Sequence, residues 1–461
     1  MKVVLINPYE LGRQPFALAQ PAAWLRADGF EVKCLDLSIQ RLDADDFVGV
    51  ELIAVYLGMH TATRLAMQCV PRLRQYAPGA HLCAFGLYAP MNQAVLHELG
   101  FGSLLGGESE PVLHDLAVRL REGTSPEITD EPIVTLAKVP FRIPDRSDLP
   151  PLSSYAHLNM PDGTQRTVGF AEASRGCKHL CRHCPVVPVY NGRFRIVPVD
   201  VVLGDIAQQV AAGATHISFG DPDFLNGPTH ARRIVSALQR DYPQISFDAT
   251  IKVEHLINHA ELLPELAAAG CMFVTSAVES VDDAVLTRLD KGHNAADFNT
   301  AVGLLRDVGI AMSPTFVPFT PWTTLDGYIA LLRRLIELDL VYSVPPVQLA
   351  IRLLIPEGSY LLRLDDIHEV VDPFDPEMLG YPWRHANPTV DALQRQVEQL
   401  AATEPARPRE ELFAAIWDAA HAAAGRRAPT LSINTHSTPI PHLSEAWYCC
   451  AEPTSQQLAS F

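Results

Sequence analysis

The stretch Arg175-Gly176-Cys177-Lys178-His179-Leu180-Cys181-Arg182-His183-Cys184-Pro185 sets three cysteines in a C-x3-C-x2-C spacing. Thiolates at this density are soft ligands, suited to zinc or to an iron–sulfur cluster. Closed structural zinc usually takes four ligands, which here would recruit His179 or His183. Three cysteines on one loop would instead leave one iron of a four-iron cluster without a protein ligand, open to a substrate or a cofactor. A second thiol group stands near the end of the sequence, in Trp447-Tyr448-Cys449-Cys450-Ala451-Glu452-Pro453. A disulfide between neighbouring residues is strained, so such a pair is better suited to sharing a soft partner. Trivalent arsenic, which prefers two or three thiolate donors, is one such partner; a resolving or protecting dithiol is the other use. Cys34, Cys69, Cys83 and Cys271 sit singly in apolar stretches and read as core residues.

The elements that must position these groups form two α/β series. In residues 1–121, short apolar strands at 3–7, 31–36, 52–56 and 81–86 alternate with helical spacing at 15–28, 62–76 and 92–98. That alternation predicts a doubly wound, Rossmann-like parallel sheet, whose ligands sit at strand ends such as Tyr56–Thr61 and Gly86–Tyr88. Residues 122–166 are rich in Pro, Asp, Ser and Thr and read as a linker. Residues 167–365 offer candidate strands at 167–173, 216–219, 246–250, 272–277, 311–316 and 347–351, separated by helices. Six such units predict a partial (β/α)6 barrel of the TIM type, with the cysteine loop directly after its first strand. Residues 366–461 read as a helical C-terminal region with an irregular tail.

Composition narrows the function classes. In 461 residues, 48% are apolar, which supplies a large core and excludes wholesale disorder. The 36 basic and 53 acidic side chains leave a formal net charge of −17, a poor match to phosphate backbones, so nucleic acid is not the expected partner. No apolar run reaches the ~18 residues of a membrane span, and the first residues lack the apolar region of a signal peptide. A cytoplasmic location is expected, where nine cysteines serve as ligands or reactive thiols rather than disulfides.

The cysteine loop, its place after the first barrel strand and the six-unit series resemble the radical S-adenosylmethionine (SAM) superfamily. The resemblance implies a 4Fe-4S cluster on Cys177, Cys181 and Cys184, with SAM chelating the fourth iron. Gly220-Asp221-Pro222-Asp223, after the second strand, resembles the motif that meets the SAM amino group. Val278-Glu279-Ser280 resembles the stretch near the ribose, with Ala277 in place of its glycine. Arg288, Leu289 and Lys291-Gly292 follow at the family's spacing. Lys252 stands where a basic residue commonly faces the SAM carboxylate. Thr315 and Pro318 stand where the adenine often packs. Arg352, on the expected sixth strand, is a candidate ligand-facing base, with an ion pair as the alternative.

The N-terminal unit and the turn Gly106-Gly107-Glu108-Ser109-Glu110 resemble the cobalamin-dependent class of the superfamily, which makes cobalamin a candidate third cofactor. The D-x-H-x-x-G motif of base-off cobalamin proteins is absent. The tail and the whole chain order, from N-terminal sheet through cluster, barrel and helical region, resemble the CUAEP/CCAEP-tail radical SAM family, with a resemblance also to the arsinothricin-biosynthesis radical SAM enzymes. That resemblance implies reductive cleavage of SAM and transfer of its 3-amino-3-carboxypropyl group to trivalent arsenic held by Cys449 and Cys450. It further implies arsenite or a small molecule as substrate and an electron donor such as flavodoxin or ferredoxin. The rival enzyme reading is a cobalamin-dependent radical methyltransferase or rearranging enzyme. The rival outside enzymes is an iron–sulfur redox or metal sensor.

Overall fold

The computed structural model describes residues 1–124, 133–404, 407–434 and 440–445. Its first sheet runs β1 (Lys2–Asn7), β2 (Glu31–Asp36), β3 (Val50–Tyr56), β4 (His81–Phe85), β5 (Ser103–Gly107) and β6 (Val134–Thr135), in the order β2-β1-β3-β4-β5-β6. Every pairing is parallel; Leu5 lies beside Cys34 on one flank and Ala54 on the other. Val3 to Ile6 are fully buried, as a strand covered on both faces requires. The helices Phe16–Ala27 and Glu110–Arg121 cover one face through Leu18, Leu25, Leu113 and Leu116. The helix His60–Tyr76 covers the other through Val70 and Leu73. Cys34, Cys69, Cys83 and Cys271 are buried in these cores or in that of the second sheet.

Seven strands build the second sheet in the order β14-β13-β12-β11-β8-β7-β15. They are β7 (His157–Asn159), β8 (Gln165–Ala171), β11 (His216–Phe219), β12 (Ser246–Thr250), β13 (Cys271–Glu279), β14 (Ala311–Phe316) and β15 (His442–Leu443). The five from β8 through β14 are parallel and curl into a partial barrel; β7 and β15 add an antiparallel edge. The hairpin β9 (Ser174–Gly176) and β10 (Phe194–Ile196) brackets the cysteine loop.

The expected sixth strand at 347–351 does not form. Pro346–Leu349 is a 3-10 turn, and a single bridge between Phe319 and Arg352 is what remains of parallel pairing there. Pro345 and Pro346 lack the amide donors that a strand needs, and their rings fix φ. Two helices, Pro388–Ala401 and Arg409–Ala423, close this end of the barrel core with Leu393, Val397, Ile416 and Trp417.

Arg146 joins the two sheets. Its guanidinium meets Asp205 twice, at 2.7 and 2.9 Å, and donates to Gln14 Oε1 at 2.8 Å and to the Phe170 carbonyl at 2.7 Å. The pair is almost wholly buried, so the bidentate geometry is what makes its desolvation tolerable. Among the described residues no helix is long and apolar enough to cross a membrane.

Candidate functional site

The cysteine loop leaves β9 at Gly176, which has φ +72°. A Cβ there would lie 2.5 Å from the Arg193 carbonyl and 2.4 Å from the Tyr190 ring, so both the backbone conformation and the close approach require glycine. Asn226 holds the loop from behind: its side-chain oxygen accepts from Lys178 N at 3.2 Å and stands 3.7 Å from Cys177 Sγ. On the far side Arg182 donates to the carbonyls of Thr287 and Arg288 at 3.1 and 2.8 Å, tying the loop to the helix Asp283–Leu289. The Cys184 amide turns back onto the Cys181 carbonyl at 3.1 Å.

Cys177 and Cys181 are buried and Cys184 is half-buried, all as free thiols. Burial pushes the Cys177 thiol up to about 11 and Cys184 to about 12, and each is raised further by its neighbouring cysteine, so the free loop holds thiols that a metal would have to deprotonate. The donor chemistry fits an iron–sulfur cluster: three soft ligands on one short loop, which a multi-iron cluster can bridge without their converging on a single ion. The zinc alternative fares worse. Among the described residues, Cys177, Cys181 and Cys184 do not form a set with all ligand atoms within 4.8 Å of one another, as ligands of a single ion would. His183 is also engaged elsewhere, its Nε2 being 3.0 Å from Glu279 Oε1.

Glu279 ends β13 with φ +67°, a conformation rare outside glycine. Lys291 Nζ lies 3.3 Å from the same carboxylate oxygen, and both groups are buried. Burial pushes the Glu279 carboxyl up, but Lys291 and His183 outweigh it and hold it at about 2. Glu279 is therefore a fixed anion in the wall of the cavity that Cys184 also lines, and the charge interaction of Lys291 with Cys181 and Cys184 places that cation by the thiols.

A cavity of about 360 Å³ separates the loop from the first sheet. Tyr56, Gly86 and Gly107 bring the C-terminal ends of β3, β4 and β5 to one wall; Cys184, Asp221 and Glu279 form the other. Such strand ends are where an open parallel sheet receives ligands. Between the walls Arg175 meets Glu110 at 2.6 Å, Glu172 at 2.9 Å and Glu108 at 3.4 Å. Two of these carboxylates come from the Gly106–Glu110 turn. Burial raises Glu172 to about 7 although Arg175 opposes it.

The candidate SAM residues divide. Gly220, Asp221, Glu279 and Thr315 line the cavity. Asp221 bonds the Ala173 amide at 2.9 Å and Ser174 Oγ at 2.5 Å, and burial raises it to about 7. Asp223 faces His179 and His255 instead, and Lys252 Nζ lies 3.4 Å from Glu254. Ser280 Oγ accepts from the Asp282 amide at 3.1 Å, closing a turn. Arg352 is not on a strand and does not face the cavity. It pairs with Asp391 at 2.7 Å and stacks 3.5 Å from the Trp383 ring, the ion-pair alternative. Cys449 and Cys450 lie outside the described residues.

The described part of the tail nevertheless reaches this site. β15 pairs with β7, and two residues later the Glu445 carboxylate accepts a 2.5 Å hydrogen bond from Tyr9 Oη. Glu10, Leu11 and Arg13, next to Tyr9, line the cavity. No local signal in the sequence marks Asn226, Arg146 or Tyr9; each acts on a distant segment.

Comparison with known proteins follows the same outline. Residues 172–326 match the family model of the radical SAM superfamily. A tRNA-2-methylthio-N(6)-dimethylallyladenosine synthase of Chlorobium limicola is 26% identical over 287 residues, covering 58% of this chain and 62% of that protein. One of Haemophilus influenzae is 26% identical over 218 residues, 43% of this chain and 45% of that protein. The chain thus spans about three fifths or less of the length of these curated relatives. Among solved structures, the cobalamin-dependent SAM radical enzyme OxsB with aqua-cobalamin bound superposes with a TM-score of 0.68 at 15% identity, over 90% of this chain and 70% of that one. The radical SAM methyltransferase TsrM from Kitasatospora setae, with tryptophan and a SAM analogue bound, gives 0.59 at 19% identity, over 73% and 71%. At these identities the likeness is one of fold, and it takes in the first sheet together with the partial barrel.

Proposed function

We propose that this chain is a radical SAM enzyme with a cobalamin-binding-like first domain, a reading supported by the family match and the shared fold, and that it cleaves SAM and transfers the 3-amino-3-carboxypropyl group to trivalent arsenic held by Cys449 and Cys450. When bound on Cys177, Cys181 and Cys184, a 4Fe-4S cluster supplies the electron that breaks a carbon–sulfur bond of SAM. The remaining work belongs to side chains. Asn226 and Arg182 hold the loop in place, and the fixed anion Glu279 and the cation Lys291 set the charge around the thiols.

The observation that carries the acceptor reading is the Tyr9–Glu445 hydrogen bond. It ties the chain to the rim of the cavity four residues before Cys449. Four residues of extended chain span at most about 14 Å and five about 18 Å, so the sequence distance from Glu445 to Cys449 and Cys450 is short, which supports the acceptor reading. A radical is productive when its acceptor is already in contact, so tethered thiolates answer the main requirement of this reaction.

The cavity at the ends of β3, β4 and β5 favours a second reading, in which cobalamin occupies it and the enzyme transfers a methyl group or rearranges an organic substrate. Anaerobic incubation of the reconstituted protein with SAM, dithionite and arsenite separates the two. Methylthioadenosine with an arsenic-bearing aminocarboxypropyl product, by mass spectrometry, is the expected result. Formation of 5′-deoxyadenosine alone, unchanged by arsenite, sinks the arsenic reading. A shift in visible absorption on adding hydroxocobalamin then supports the second. Cys181→Ala should lose cluster iron and SAM cleavage on either reading.

A further inference from the structure

A second group of potential ligands lies behind the cysteine loop. His179, Asp223 and His255 present ligand atoms that all lie within 4.8 Å of one another. His179 comes from the loop itself, between Cys177 and Cys181; Asp223 follows β11; His255 is on the helix Val253–Asn258. Asp223 and His255 are buried and His179 is nearly so.

We propose that these three residues form a site for a first-row divalent cation, separate from the cysteine ligands. The donor set, two imidazoles and one carboxylate, is one that zinc and ferrous iron both accept with positions left open.

Three observations lead to the ion rather than to a hydrogen-bonded relay. Asp223 Oδ2 and His255 Nδ1 are only 2.5 Å apart, yet both are buried atoms without a properly angled hydrogen bond. Buried polar atoms are rarely left in that condition. The other oxygen of Asp223 accepts from the amides of Leu225 at 3.3 Å and Lys252 at 3.4 Å, which aims Oδ2 at the imidazoles. His179 Nε2 lies 3.7 Å from the same Oδ2, so it and His255 Nδ1 converge on that oxygen, while the 3.2 Å contact between the two Nε2 atoms is a ring-to-ring hydrogen bond that a bound ion would replace. Finally, the far nitrogen of His179, Nδ1, stands 3.5 Å from Glu254 Oε2. A carboxylate behind a ligating histidine is the usual outer support of such a site, since it fixes the tautomer that leaves the other nitrogen free.

A bound ion would cross-link the cysteine loop to the end of β11 and to the helix Val253–Asn258. The loop would then be held by a metal that takes no part in the electron transfer.

The test uses the holoenzyme. Protein with its cluster reconstituted is equilibrated with zinc, freed of excess ion, and assayed for iron and zinc by mass spectrometry and for zinc surroundings by X-ray absorption. One zinc per chain with nitrogen and oxygen neighbours at about 2.0–2.1 Å and no sulfur is expected. His255→Gln should lose the zinc and keep its iron. Asp223→Asn, which preserves volume, repeats the comparison should His255→Gln fail to fold. No zinc, zinc with sulfur at about 2.3 Å, or zinc content unchanged in both variants overturns the site. These readouts do not depend on which product SAM yields, so they stand or fall apart from the arsenic reading.

Discussion

Tyr9 and Glu445, 436 positions apart in the chain, are joined by a 2.5 Å hydrogen bond from the phenol to the carboxylate. The contact ties the tail to the loop after β1, whose next residues line the cavity. A hydrogen bond to a charged group contributes about 1.5–3 kcal/mol, so its loss at the low end corresponds to roughly tenfold in the population of the anchored tail. Tyr9→Phe and Glu445→Gln should therefore lower product formed per SAM cleaved by about tenfold or more, while SAM cleavage itself persists. Quantifying both products in one reaction checks this; an unchanged ratio in both variants removes the tail anchor from the mechanism.

Arg146 supplies a prediction about assembly. Removing it leaves Asp205 buried without its cation, which typically costs about 3–5 kcal/mol. Arg146→Met should lower the thermal midpoint and open the segment between the two sheets to limited proteolysis. Equal melting and equal cleavage in variant and parent would show that the two units are held by other contacts.

The Glu279–Lys291 pair is a similar case inside the site. Lys291→Met leaves the Glu279 anion with His183 alone, and a destabilisation of about 3–5 kcal/mol is expected. Denaturant unfolding measures it. Glu279→Gln should also weaken SAM binding, seen as a rise in the concentration needed for half-maximal cleavage. A variant that melts normally and binds SAM normally would contradict the charge arrangement described above.

Glu172 and Asp221 give the pH dependence. Burial holds both carboxyls at about 7, whereas in the unfolded chain they titrate near 4.3 and 3.9, about the ordinary values. Between those limits the folded state binds more protons than the unfolded one. Stability from this source is complete below about pH 4 and is lost as pH rises to about 7, by at most about 1.4 kcal/mol per pH unit for each group. Thermal midpoints measured across this range should fall with rising pH, and Glu172→Gln should flatten part of the slope. Parallel curves for variant and parent would place the titration elsewhere.

Much of this architecture was legible in the residues. Val3 to Ile6 announce a doubly covered strand because parallel sheets bury both faces, and the spacing of Cys177, Cys181 and Cys184 is dense enough to name its chemistry. The strand expected at 347–351 does not form although its residues are apolar, because Pro345 and Pro346 remove the amide donors a strand needs. Arg352 followed it, since its role depended on a strand that is absent. The roles of Asn226, Tyr9 and Arg146 are not legible for another reason: their partners lie 48, 436 and 59 positions away, and local pattern carries no trace of such distances. Lys252 and Asp223 were legible as residues near a ligand, but the imidazoles of His179 and His255 claim Asp223 only once the chain is folded.

β15 has a consequence for how the tail can be studied. His442 and Leu443 pair with Asn159 and Leu158, covering the outer strand of the second sheet. A bare outer strand presents unpaired amides and carbonyls on which another molecule can build. The segment that leads to the vicinal thiols thus also acts as a guard against self-association. Shortening the chain ahead of β15 would unmask an adhesive rim, and aggregation would then be mistaken for lost chemistry. Single-residue replacements at Cys449 and Cys450 keep the residues that pair with that rim, Ser444 included, and ask the chemical question alone.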